Sequence, residues 1–239
     1  MFNDSSRSID NLIREGYSVD AGRYIGKGWE IFKRNAGGFV GFTLICFLIA
    51  VVLASISPPP NSNAGIGTNT DAADSLRATL GAIGNLIFSI ISGPLYAGFT
   101  IVAFKLIKQQ ATQFSDFFRG LSGNYFLQIF LANLLIGIFV AIGTLLLILP
   151  GIYLAVAYML AVPLIVERKL GFWDAMEASR KIVTKRWFAF FGFGLLLLVI
   201  NFAGALLCGL GLLVTVPLTY CAIVAAYENI IGLNLSSEM

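Results

Sequence analysis

Asp174 and Glu177 stand three residues apart, a spacing that brings two carboxylates side by side on a helix, where they could share a cation or divide acid and base roles. The same short stretch carries Arg180, Lys181, Lys185 and Arg186. Solvated ion pairing on a surface helix therefore accounts for the carboxylates more simply, with Glu177 and Lys181 in the favourable i,i+4 order. The chain has no histidine, which removes the commonest general base, the usual metal ligand and every serine–histidine or cysteine–histidine pair. Cys46, Cys208 and Cys221 lie in or at the ends of apolar runs without disulfide or metal spacing, and read as packing residues. No P-loop, dinucleotide turn or CxxC is present. The expectation is a protein that is not an enzyme, with no catalytic residue, no cofactor and no metal site.

The cationic cluster has two readings of its own. It can act as a topological anchor at the inner leaflet, or Arg180, Lys181, Lys185 and Arg186 can recognise anionic lipid headgroups, each worth about 1 kcal/mol near a charged surface.

The elements that must hold these residues follow from composition. Hydrophobic residues make up 57% of the 239, charged residues 12%, and mean hydropathy is +0.83, where a soluble domain carries about 25% charged residues. This is the composition of a polytopic membrane protein, and the length suits about six spans of ~20 residues. The expected fold is an all-α membrane protein with six transmembrane helices in three hairpins and amphipathic helices on the cytoplasmic surface. Spans are expected at about 38–57, 78–104, 126–148, 151–166, 187–208 and 212–231, with surface helices at about 19–34, 112–122 and 171–185. Residues 1–17 and 235–239 read as tails around a single membrane domain, 18–234. The segment before Asn35 is polar and mixed in charge, so no secretory signal peptide is expected.

Several local signals set these limits. Pro58, Pro59 and Pro60 stop the first span before a polar, lysine-free loop. The apolar run from Tyr125 to Val166 is too long for one span, and Pro150-Gly151 is the expected turn within it. Pro94, Pro163 and Pro217 each precede a leucine, which places a kink in the second helix of each hairpin and suggests a threefold repeat of one hairpin unit. In 19–34 the residues Ala21, Ile25, Gly28, Trp29 and Phe32 mark one helical face. In 171–185 the apolar face is Phe172, Ala175, Met176, Ser179, Ile182 and Val183, opposite the charged one.

Charge fixes the expected orientation. Of 16 lysines and arginines, six precede Asn35, three lie between Lys105 and Arg119, six lie between Arg168 and Arg186, and Arg77 alone falls elsewhere. The positive-inside rule then puts both termini in the cytoplasm, with Trp29, Trp173 and Trp187 as anchors at that interface. Lys105 and Glu228, near span ends, are expected to snorkel. No nucleic-acid partner is implied, because the net charge of +3 reflects topology.

Three stretches carry a resemblance: GKGWEIFKRNAGGFVGF at 26–42, LPGIY at 149–153, and AVPLIVERKLGFWDAMEASRKIVTKRW at 161–187. Together they resemble the YciC-type integral membrane proteins, related to the membrane domain of bacterial glycerophosphoryl diester phosphodiesterases. The resemblance implies an all-helical bundle of about six spans in a bacterial or archaeal cytoplasmic membrane. It implies no reaction, because where that domain is fused to the phosphodiesterase the catalysis belongs to a separate soluble barrel, which is not expected here.

Two functions remain open. One is a membrane scaffold that contacts lipid, including anionic headgroups, or another envelope protein. The other is a transporter or channel-like permease for a small solute, including a neutral one, in which Asn133 or Asn201 would line the path. Against transport, the span centres hold no ionised group of the kind ion coupling uses.

Overall fold

A computed structural model describes residues 14, 16–56, 72–207 and 209–233. The expected proline stop at 58–60, the polar loop that follows it, Cys208 and the tail 235–239 lie outside the described residues, as does nearly all of the tail 1–17. The described residues contain helix and no strand: α1 (Ala21–Arg34), α2 (Ala36–Ile56), α3 (Ala72–Ile107), a 3-10 segment (Phe114–Leu121), α4 (Gly123–Leu146), α5 (Ile148–Ala157), α6 (Ala161–Arg168), α7 (Phe172–Thr184), α8 (Trp187–Leu206) and α9 (Leu212–Ile231). Six stretches among them are long and apolar enough to cross a membrane: Ala36–Ser55, Thr79–Ile107, Tyr125–Leu146, Ile148–Arg168, Trp187–Leu206 and Leu212–Ile231. The chain is a polytopic membrane protein, and helices are what hydrocarbon permits, since each satisfies its own backbone.

Each boundary has a local cause. Asp20 caps α1 by accepting the Arg23 N–H at 3.0 Å. Asn35 separates α1 from α2 and serves both, since its own N–H reaches the Phe32 carbonyl at 3.2 Å and its Oδ1 accepts the Gly38 N–H at 3.2 Å. A side chain at Gly38 would stand 2.6 Å from that oxygen.

The turn between spans three and four is not Pro150-Gly151. It is the single extended residue Leu147, and Pro150-Gly151 lie in the first turn of α5, where a missing N–H costs no helical bond. Gly151 instead lets the hairpin close: a Cβ there would fall on Thr144 Oγ1, and one at Gly143 would lie 3.0 Å from the Gly151 nitrogen.

Span four is also not one helix. It breaks over Tyr158–Leu160 between α5 and α6, and Pro163 sits in the first turn of the new helix instead of kinking an unbroken one. Pro94 and Pro217 do lie inside α3 and α9.

The three amphipathic segments pack on protein and do not lie free. The buried residues of α1 are Tyr24, Gly28, Ile31 and Phe32, so the expected face was rotated: Tyr24 and Ile31 are buried while Trp29 is 41% exposed. The cause is α9. A Cβ at Gly28 would lie 2.7 Å from the Ala222 nitrogen, and the Tyr24 hydroxyl donates to Asn229 Oδ1 at 3.2 Å.

The 3-10 segment wedges between α2 and α3. Phe117 stacks on Phe42 at 4.8 Å and meets Phe39 edge-on at 5.4 Å. Gly98 faces the Phe117 carbonyl and Gly120 faces the Pro94 carbonyl so closely that neither position has room for a Cβ. The buried aromatic core gathers at this end of the bundle, whereas Leu145 to Leu149 at the far end of the α4–α5 hairpin stay exposed, as lipid-facing apolar side chains do.

Candidate functional site

The charged residues at the span ends form a junction whose inner pairs are buried and whose outer pair is part-exposed. Asp116 accepts the Gln113 N–H at 2.7 Å, the Lys105 ammonium at 2.7 Å and the Arg119 guanidinium at 3.2 Å. Burial raises its pKa, but the Gln113 N–H, Lys105 and Arg119 together win and hold the carboxyl below the usual aspartate value. Beside it, Lys108 pairs with Glu167 at 3.0 Å with both side chains buried. Arg34 donates to the Leu106 carbonyl at 3.1 Å, closing the end of α3, and Lys27 pairs with Glu228 at 2.6 Å.

These contacts fasten the ends of spans two and four, the 3-10 segment, α1 and α9 to one another. Lys105 therefore does not snorkel to water; it is buried against a carboxylate eleven residues on. Glu228 does remain part-exposed. The pairings were hidden in the sequence because their partners lie on separate elements. The available signal was an aspartate amid Phe114, Phe117 and Phe118, since a carboxylate in an aromatic cluster needs a cation.

Of the expected apolar face of α7, Ala175, Met176, Ser179, Ile182 and Val183 are buried and Phe172 is half-buried. The partner of this face is span four, where Ser179 fills the break. Its hydroxyl accepts the Leu160 N–H at 3.1 Å and donates to the Ala157 carbonyl at 2.8 Å, joining the two halves of the broken helix. The ends of α7 are tied as well. Phe172 N–H donates to Gln128 Oε1 on α4 at 2.7 Å, and Thr184 shares a 2.7 Å hydrogen bond with Tyr153 on α5.

The four cations of this region have separate settings. Arg180 grips Glu177 through two bonds of 2.8 and 3.0 Å, and Lys181 approaches the same carboxylate at 3.4 Å; Arg180, first of all, keeps Glu177 ionised below the usual glutamate range. Lys185 is exposed. Arg186, also exposed, donates to the Tyr17 carbonyl at 3.2 Å, while the Tyr17 hydroxyl donates to the Ile182 carbonyl at 2.6 Å. Arg186 thus holds the segment before α1 against α7.

Of the tryptophans expected at the membrane interface, Trp173 and Trp29 are exposed. Trp187 stacks on Tyr153 and donates to its carbonyl at 3.3 Å. Among the described residues no group of three or more potential ligands could hold a metal ion.

Two intramembrane amides donate to nearby groups, while the Asn201 Oδ1 is buried without a hydrogen-bond partner. Asn133 donates to the Ile129 carbonyl at 2.9 Å, and Asn201 donates to the Leu197 carbonyl at 2.9 Å and to Thr219 Oγ1 at 2.7 Å, pinning α8 to α9.

Two hollows remain. A polar-edged cleft of about 500 Å³ lies between the start of α4 and the α6–α7 connection, lined by Gly123, Tyr125, Leu127, Gln128, Ile165, Lys169, Leu170 and Gly171. An apolar one of about 270 Å³ lies between α2, Tyr96 and the start of α9. Comparison with known proteins finds no matching family model, no matching curated protein and no matching solved structure.

Proposed function

We propose that this polytopic membrane protein works by binding and not by catalysis: a scaffold of the bacterial or archaeal cytoplasmic membrane, both termini inside, that engages anionic lipid and presents a rigid face to another envelope protein. The resemblance to the YciC-type membrane proteins belongs to the same reading. The observation that carries it is α7. Its apolar face is consumed by span four, so its charged face, with Arg180, Lys181 and Lys185, is held outward on a fixed support directly before the membrane-entry residue Trp187. A cationic face fixed at that depth attracts acidic headgroups without any cost of ordering a free helix.

The test uses as reporters Trp173, in the first turn of α7, and Trp187, just after its end. Quenching by brominated phosphatidylglycerol, compared with brominated phosphatidylcholine, measures the lipid preference beside it. Reversing Arg180, Lys181 and Lys185 to glutamate is expected to lower that preference by about a hundredfold, at about 1 kcal/mol for each of the three cations removed. An unaltered preference in a variant that still folds would exclude the lipid contact. Arg186 is left in place because it holds Tyr17.

One observation supports the transport reading, the break in span four, since discontinuous helices surround the sites of many transporters. Here Ser179 occupies the freed backbone groups, which favours the scaffold. Solute flux in proteoliposomes that responds to Asn133→Ala or Asn201→Ala would reverse this preference.

A further inference from the structure

The cleft beside Lys169 has a chemistry that α7 lacks. Its polar side chains are Lys169, Gln128 and Tyr125. Lys169 offers only donors, and Tyr125 offers a phenolic O–H. The carbonyl oxygen of Gln128 is already taken by the Phe172 N–H at 2.7 Å, so its remaining group is the NH2. No carboxylate lines the cleft; the neighbouring acids are Asp174, in the first turn of α7 next to Gly171, and Glu167, close enough for its charge to act on Tyr125 but paired with Lys108, and neither is part of the wall. A cavity whose side chains donate and whose acceptor is consumed suits a ligand rich in acceptor oxygens and negative in charge.

Its position narrows the ligand. Tyr125 begins the third membrane-crossing stretch and Arg168 ends the fourth, so the cleft opens where hydrocarbon gives way to headgroups on the side that the cations mark. The rest of its wall is apolar, with Leu127, Leu170 and Ile165, and Leu127 is 55% exposed at its edge. One ligand class has an anionic, acceptor-rich group attached to hydrocarbon at that depth. Lys169 itself lies in the left-handed region at φ 53° as the residue closing α6, a conformation uncommon for lysine and easier for glycine or asparagine.

We infer that this cleft seats the phosphodiester of one membrane glycerophospholipid, with Lys169, Gln128 and Tyr125 donating to the phosphate oxygens and Leu127 and Leu170 against the acyl chains. It rests on the reading of the chain as a lipid-engaging membrane protein, but uses residues separate from the α7 cations. A discrete stoichiometric site differs from a diffuse attraction along a charged face, and each can fail without the other.

The experiment is native mass spectrometry of the full chain, delipidated in detergent and titrated with phosphatidylglycerol, with inorganic phosphate as a parallel ligand. The expected result is one saturable lipid adduct that Lys169→Asn weakens by about fivefold to tenfold, while millimolar phosphate neither binds nor competes. Asparagine tolerates the left-handed conformation, so this variant keeps the α6 end, and Tyr125→Phe, which removes only a hydroxyl, is expected to weaken the same adduct. Glutamate at Arg180, Lys181 and Lys185 together is expected to leave the single adduct intact. An adduct equally strong in both cleft variants overturns the assignment. So does a phosphate adduct that replaces the lipid one, which would make the site a soluble-anion site.

Discussion

Ser179→Ala removes one oxygen and, by the geometry, uncaps two buried backbone groups. The Leu160 N–H and the Ala157 C=O sit at the ends of the break in span four, and both reach the same hydroxyl, at 3.1 and 2.8 Å, in a residue with no solvent exposure. A buried polar group left unmade costs about 1–3 kcal/mol, so the pair should cost about 2–4 kcal/mol after partial relaxation. For a chain of this size that lowers the melting temperature by about 5–15 °C. The assay is thermal unfolding of the detergent-solubilised protein, paired with hydrogen exchange at the Leu160 amide, which should accelerate in the variant. Ser179→Cys, a weaker donor and acceptor of similar shape, should fall between wild type and alanine. A Ser179→Ala protein that melts with wild type and protects the Leu160 amide equally would refute the role given to this side chain, and with it the account of how span four tolerates its break.

Asp116→Asn should destabilise by about 3–5 kcal/mol at neutral pH, because Lys105 would be left buried against a neutral partner. The folded pKa of Asp116 is depressed, so its contribution is complete above about pH 4 and is lost as pH falls through the folded value. The gap between wild type and Asp116→Asn, measured by denaturant titration at stepped pH, should therefore close only below about pH 4; a gap that closes nearer neutrality would contradict the assignment. Gly28→Ala should push α1 off α9, where the new Cβ would stand 2.7 Å from the Ala222 nitrogen. An expected loss of about 1–3 kcal/mol can be read by thermal unfolding, and Ala222→Gly should restore only part of it because backbone atoms lie closest.

How much of this was legible depends on the distance between cause and effect along the chain. The spans were readable to within a few residues, because an apolar run reports its own burial. The buried face of α7 was readable for the same reason: its periodicity is local, and Ser179 already stood on the apolar side. The turn at Leu147 was not readable, since Pro150-Gly151 is a strong turn signal and only the Gly143–Gly151 approach shows that the proline begins a helix instead of ending one. The face of α1 was misjudged because Tyr24 gains its burial from Asn229 and Phe193, near the other end of the chain. Lys105 and Asp116 carried a readable clue, a lone carboxylate among phenylalanines, but Lys108 and Glu167 meet across two elements that no local pattern links.

By itself the sequence determined that this protein crosses a membrane repeatedly, and roughly where, because transfer into hydrocarbon is decided residue by residue and sums along a segment. The tertiary structure alone decided where the backbone may break and which charges may be buried. The free energy of an open N–H, an uncapped carbonyl or a desolvated ammonium depends on a partner brought from elsewhere, and Ser179, Asp116 and Glu167 act only once the fold has carried them there.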